Sequence, residues 1–192
     1  MEKKELELYI HIPFCVRKCN YCDFLSFPAD EDTQRQYVKA LCKEIFYYGA
    51  HCRDYVVSTV YIGGGTPSWL WESDMAEIMD AVHKNFALLP DAEVSVECNP
   101  GTVTAQKFAV YRQSGINRIS LGLQSAQNVE LKMLGRIHTW EQFLKTYELA
   151  RAGGFSNINV DLMSSLPGQH TATYADSLQK VCRLKPEHIS AY

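Results

Sequence analysis

Short runs rich in β-branched residues alternate with longer amphipathic runs along this chain, and that alternation restricts the fold more than any other property. Leu6–Ile12, Val56–Ile62, Glu93–Glu97, Ile116–Gly122, Ser156–Leu162 and His188–Tyr192 read as strands. Between them, Asp30–Tyr48, a stretch from about Ser73, Thr104–Ser114, a short piece Val129–Leu134, a longer piece from Thr139, and Thr171–Leu184 carry apolar residues at helical spacing. Gly49 is the expected stop of the first helix, whose apolar face is Tyr37, Val38, Leu41, Ile45 and Tyr48. Thr139 and Gln142 make a capping box for the later one. On the last helix the expected inner face is Tyr174, Leu178, Val181 and Cys182. Five βα units and an opening sixth strand predict a parallel α/β sheet with right-handed crossovers. An incomplete TIM-like (β/α) barrel is the favoured architecture, with a doubly wound open sheet as the alternative. Either fold gathers its functional loops at the carboxyl ends of the strands.

Length and charge narrow the field. The 192 residues suffice for one well-buried domain or part of a larger one. Because the sequence ends at Ser190-Ala-Tyr192, inside an apparent strand, the expectation is a single partial domain over 1–192 lacking a C-terminal continuation. A net charge of −3 supplies no basic stripe, so nucleic acid is not an expected partner. The start, Met1-Glu-Lys-Lys-Glu-Leu-Glu, lacks the apolar core of a signal peptide, and no run approaches membrane-span length. These features predict a cytoplasmic protein. Its seven cysteines, an odd number, then argue for metal or thiol chemistry over a disulfide framework. Cys42, Cys52, Cys98 and Cys182 have no mutual spacing and read as small buried or half-buried apolar side chains.

Cys15, Cys19 and Cys22 differ. They form C-x3-C-x2-C on a loop directly after the first strand, where three thiolates can converge on one metal centre. On a four-iron cube, three ligands leave one iron open, and an open metal position is where chemistry happens. Zinc with His11 or Asp23 as a fourth ligand is the bland alternative, although zinc sites favour paired C-x2-C units. Gly63-Gly-Gly-Thr-Pro67 after the second strand allows backbone groups to approach a ligand closely, or is a plain turn. Glu97 and Asp161 end strands, where carboxylates also serve as helix caps, and Arg136 could be a solvated surface charge. His11, in an apolar strand, reads as a satisfied inward-facing histidine.

Taken in order, Tyr9-x-His11-Ile-Pro-Phe-Cys15, C-x3-C-x-Tyr21-Cys22, Gly63-Gly-Gly-Thr-Pro67, Glu97-x-Asn-Pro100, Gly122-Leu-Gln124, Asp161-Leu-Met and Leu166-Pro-Gly-Gln169 resemble the radical SAM superfamily. Within it, the chain resembles the oxygen-independent coproporphyrinogen III oxidase-like group, and there the HemW-type haem chaperone branch. The resemblance implies a [4Fe–4S] cluster on Cys15, Cys19 and Cys22, with S-adenosylmethionine (SAM) chelating the fourth iron and cleaved on reduction to a 5′-deoxyadenosyl radical. It implies SAM contacts from Tyr9 and Tyr21 and a turn at the methionine amino group from Gly64, Gly65 and Thr66. Glu97 would accept from the ammonium and Arg136 would pair the carboxylate. Gln124 and Asp161 would bind the ribose hydroxyls. Partners implied are haem or a porphyrinogen, a haem-acceptor protein and an electron donor for the cluster. Phe24, where the oxidases carry a further cysteine, and the eight residues before Tyr9 point to the chaperone branch. An oxygen-independent coproporphyrinogen III dehydrogenase is the alternative. Ser164-Ser165 stands where the family more often has a glycine.

Overall fold

A computed structural model describes residues 4–192; the opening Met1–Lys3 of the charged N-terminus lies outside them. Six strands form one sheet: β1 (Lys4–Ile12), β2 (Tyr55–Gly64), β3 (Leu88–Cys98), β4 (Arg118–Gln124), β5 (Ile158–Leu162) and β6 (His188–Ala191). Every adjacent pair is parallel and the spatial order equals the chain order. A doubly wound sheet reverses its strand order at a switch point, so this monotonic order selects the barrel-like arc. β1 and β6 are not paired with each other; the arc is open.

The helices are α1 (Glu31–His51), α2 (Glu72–Asn85), α3 (Ala105–Gln113), α4 (Asn128–Met133), α5 (Trp140–Ala152) and α6 (Thr171–Leu184). Their starts follow local chemistry. The Asp30 carboxylate accepts from the Thr33 N–H (2.8 Å) at the head of α1, and Thr139 and Gln142 cap α5 reciprocally, as the sequence pattern predicts. Three expectations fail. Helix α1 runs past Gly49 to His51, because Gly49 is a packing residue rather than a stop: a Cβ there would lie 2.6 Å from Asn85 Cβ and Asn85 O at the end of α2. Tyr48 is 53% exposed, since the buried stripe of α1 is Val38, Leu41, Ile45 and Gly49. Cys182 is exposed, because α6 turns Ser177 and Val181 inward and Cys182 lies roughly 100° round from Val181. Of the other scattered cysteines, Cys98 is buried and Cys42 and Cys52 are half-buried.

Alternation along the strands separates two faces. Ile10, Ile62, Val96, Ile119 and Ile158 are in register across β1–β5 and are all buried in the core. One residue further along, the opposite face carries a polar row, with Glu97, Ser120 and Asn159 in register on β3, β4 and β5. The sheet therefore offers apolar surface to the core and a polar concave surface to whatever lies within the arc.

Candidate functional site

Beyond β1 the chain makes a long excursion and returns on itself. Phe14 and Phe27 form an isolated parallel bridge, the Cys15 N–H donates to Phe27 O (3.1 Å), and the Phe27 N–H donates to Pro13 O (2.9 Å). The two rings meet edge to face at 5.7 Å, with Phe14 also edge-on to Tyr37 at 5.2 Å. This closed loop holds Cys15, Cys19 and Cys22, all free thiols, the first buried and the others half-buried. Between the last two, the Cys22 N–H donates to Cys19 O (3.2 Å).

From the other side, the loop is clamped by the C-terminal end of α4. The Asn20 N–H donates to Leu134 O (3.0 Å), Asn20 Nδ2 to Met133 O (2.9 Å) and an Arg17 guanidinium nitrogen to Gly135 O (2.7 Å). Below it lies the glycine run. The Gly65 N–H donates to Ile12 O (2.8 Å) and the Thr66 N–H to Phe14 O (2.7 Å), so the two backbones touch. A side chain at Gly65 would put its Cβ 2.7 Å from Phe14 O. Gly64, with φ +114°, sits where a Cβ would meet the His11 ring at 2.5 Å. His11 is satisfied as expected, with Nδ1 against Tyr9 Oη (2.9 Å) and Nε2 against Leu25 O (3.0 Å).

One cavity of about 310 Å³ collects these features with the carboxyl ends of β2–β5. Its walls include Cys15, Cys19, Tyr21, Cys22, Gly64, Gly65, Thr66, Glu97, Gln124, Arg136 and Asp161, every sequence-derived site residue except Tyr9. Tyr9 is 61% exposed and stacks on Tyr61, with ring centroids 6.3 Å apart and planes at 19°. Each remaining polar group is held by its neighbours. Glu97 accepts from Tyr61 Oη on one oxygen (2.8 Å) and from the Gly64 N–H on the other (3.1 Å). Burial nevertheless raises its pKa against those two bonds. Asp161 accepts from Asn159 Nδ2 (2.8 Å) and Ser120 Oγ (3.4 Å), and burial raises it too. Two partly desolvated carboxylates on one wall make the cavity a good host for a cation. Tyr21, pushed up to about 12 chiefly by burial, stays a neutral phenol. Gln124 ends β4 with a left-handed φ of +73°, its carbonyl accepting from the Met163 N–H (2.9 Å).

Arg136 is half-buried in the cavity wall rather than solvated. One terminal nitrogen donates to Asn99 Oδ1 (2.7 Å) and Gly122 O (2.6 Å), the other lies 3.7 Å from Cys19 Sγ, and its buried Nε has no partner among the described residues. A guanidinium donor left unpaired in a buried wall calls for an anionic acceptor. Sequence reasoning missed Tyr61 and Asn99. Strand alternation against buried Val60 and Ile62 could have turned Tyr61 toward the concave face; Asn99 stands in the Glu97-x-Asn-Pro100 motif, but nothing local points to its partners.

The model of the radical SAM superfamily matches residues 9–181. The chain belongs to that superfamily. The heme chaperone HemW of Escherichia coli is 41% identical over 188 residues, covering 97% of this chain and 50% of HemW. HemW of Bacillus subtilis is 36% identical over 187 residues, covering 96% and 49%. The chain thus spans about half the length of the curated relatives it matches. Among solved structures, the radical SAM enzyme coproporphyrinogen III oxidase (HemN) of E. coli superposes with a TM-score of 0.90 at 30% identity, over all of this chain and 44% of that one. As a radical SAM protein this chain uses a [4Fe–4S] cluster and SAM, and the residues present fit both. Among the described residues no three His, Cys, Asp or Glu side chains gather tightly enough for a single metal ion. A four-iron cube takes each thiolate on a different iron, and Cys15, Cys19 and Cys22, all free, line one cavity. The unpartnered Arg136 Nε suits a carboxylate, and the desolvated Glu97 suits an ammonium. No helix among the described residues is long and apolar enough to cross a membrane.

Proposed function

We propose that the chain is the cluster- and SAM-binding core of a haem chaperone that passes haem to acceptor proteins. Cys15, Cys19 and Cys22 hold the cluster; when bound, it supplies the electron that cleaves the SAM sulfonium. The chain's own residues bind and orient. Glu97, braced by Tyr61 and Gly64, takes the ammonium, and Arg136 in the cavity wall pairs the carboxylate. Gln124 and Asp161 take ribose hydroxyls, Asp161 being aimed by Asn159 and Ser120. Gly64 and Gly65 permit close approach and Tyr21 lines the cavity, while Tyr9, outside its walls, stacks on the Tyr61 that braces Glu97.

The observation that carries the reading is the single cavity that joins the three-cysteine loop to complementary groups for each charged end of an amino acid. Haem transfer rather than oxidation of a porphyrinogen is supported by the HemW relatives and by Phe24 where the oxidases carry a cysteine. The test is anaerobic reconstitution with iron and sulfide, followed by incubation with haem or coproporphyrinogen III, SAM and a low-potential reductant. The reading expects about four irons per chain, haem retained through gel filtration, and unchanged coproporphyrinogen. Decarboxylated porphyrinogen product would overturn the chaperone reading in favour of the dehydrogenase.

A further inference from the structure

Arg136 fixes more than the wall of the cavity. A guanidinium carries donors only, so the Asn99 atom 2.7 Å from it is the carbonyl oxygen, Oδ1. The other end of the same amide, Nδ2, then donates to Thr66 Oγ1 (2.8 Å). With a lone pair thus occupied, the Thr66 hydroxyl directs its own hydrogen at Cys15 Sγ (3.3 Å). The second terminal nitrogen of Arg136 faces Cys19 Sγ at 3.7 Å. Polarity therefore runs one way, from guanidinium to amide to hydroxyl to sulfur, and two of the three cysteines face hydrogen-bond donors from it.

The circuit is built to stay in place. The Asn99 N–H donates to Ser68 Oγ (3.1 Å), and the Asn99 carbonyl accepts from Thr102 Oγ1 (2.7 Å). Room for the Asn99–Arg136 pair depends on Gly122, where a Cβ would lie 3.1 Å from Asn99 Oδ1 and 3.4 Å from the guanidinium. Thr66 is 3% exposed, so water does not compete for its hydroxyl.

We propose that Asn99 is a positioning residue that sets the direction of this circuit, and that the circuit raises the reduction potential of the cluster through Thr66 and Arg136. Hydrogen bonds to ligating sulfur stabilise the more negative, reduced cluster and so raise its potential. The couple takes one electron from the reductant, with no bond to the protein made or broken. The inference rests on the ligand assignment to Cys15, Cys19 and Cys22 made above.

The experiment is an anaerobic redox titration of the reconstituted protein, followed by the paramagnetic signal of the reduced cluster. It compares wild type with Asn99→Ala, Asn99→Asp, Thr66→Val and Thr66→Ser. Asp keeps the contact with Arg136 but can only accept, so it turns the Thr66 hydroxyl away from Cys15. Val keeps the shape of Thr66 and loses the hydroxyl; Ser retains it. At a fixed potential the reduced fraction-to-oxidised ratio is expected to fall about tenfold in Thr66→Val, equal to about 59 mV for one electron. Both Asn99 variants should move in the same direction, and Thr66→Ser should titrate as wild type. Variants that load iron normally and titrate as wild type would overturn the circuit while leaving the cluster assignment standing. A shift in Thr66→Val with neither Asn99 variant moving would overturn the role of Asn99. A wild-type protein that takes up no four-iron cluster would sink both this inference and the reading beneath it.

Discussion

Replacing Gly65 by alanine should separate the glycine run from the cysteine loop. The added Cβ would lie 2.7 Å from Phe14 O, 2.9 Å from Ile12 O and 2.9 Å from Phe14 N, all main-chain atoms that no rotamer change can move. Relief requires the strand end and the loop to part, which breaks Gly65 N–H to Ile12 O (2.8 Å) and Thr66 N–H to Phe14 O (2.7 Å). Two buried backbone bonds contribute about 1 kcal/mol each. The residual crowding costs about 1–3 kcal/mol. The total is about 3–5 kcal/mol, a large part of a typical domain's stability of about 5–15 kcal/mol. Gly101→Ala is the control: its φ is +85° but nothing lies within 4 Å of the new Cβ, so only left-handed strain of about 1–2 kcal/mol applies. Urea unfolding followed by circular dichroism measures both. Iron per chain after reconstitution should fall in Gly65→Ala and hold in Gly101→Ala. If Gly65→Ala costs no more than Gly101→Ala, the close-approach argument is wrong.

Three further outcomes follow from the site. Cys19→Ala should lose the visible absorbance of the reconstituted cluster; an iron content equal to wild type would remove Cys19 from the ligand set. Glu97 has a folded pKa raised by burial, so its contribution to stability is complete below the unfolded value of about 4.3 and is lost as pH rises through the higher folded one. Glu97→Gln should therefore flatten the urea midpoint across that window, while weakening SAM binding about tenfold or more by calorimetry, since charge-assisted hydrogen bonds contribute about 1.5–3 kcal/mol. Ser165 is held at φ +59°, in the left-handed region that favours glycine. Ser165→Gly should raise stability by about 0.5–1 kcal/mol, the left-handed strain relieved less the added unfolded-chain entropy, and an unmoved urea midpoint would contradict this.

The alternation of strands and helices and the crowding of site residues at one rim are readable because both follow from local periodicity, whereas the strand order across the sheet is settled only by the fold. Val60 and Ile62 on one side of β2, or Val94 and Val96 on β3, already declare which phase of each strand is apolar. Boundaries were less legible. β3 begins at Leu88, because the Val57 N–H reaches back to Ala87 O (2.8 Å), a pairing that no local run announces. Gly49 was misread because glycine as stop and glycine as contact look alike until the partner, Asn85, is known. The same holds for Asn99: its partners Thr66 and Arg136 lie 33 and 37 positions away, and only folding brings them together.

Because each strand pairs with the one that precedes it in the chain, the sheet can grow in the direction of synthesis, none waiting for a later one to be inserted between neighbours. Domains commonly fold from the N-terminus as the chain emerges, at about 5–20 residues per second. The cysteine loop closes on itself once Phe27 and Tyr37 are made, meets the glycine run when Gly65 and Thr66 are made, and gains its last support with Leu134–Arg136. On a ribosome, the thiols that would receive iron are therefore among the earliest functional groups to appear and among the last to be fully clamped. Roughly 120 residues of synthesis, about 6–24 seconds at those rates, separate the two events. Premature oxidation or metal capture during that interval is the hazard that this order of assembly builds in.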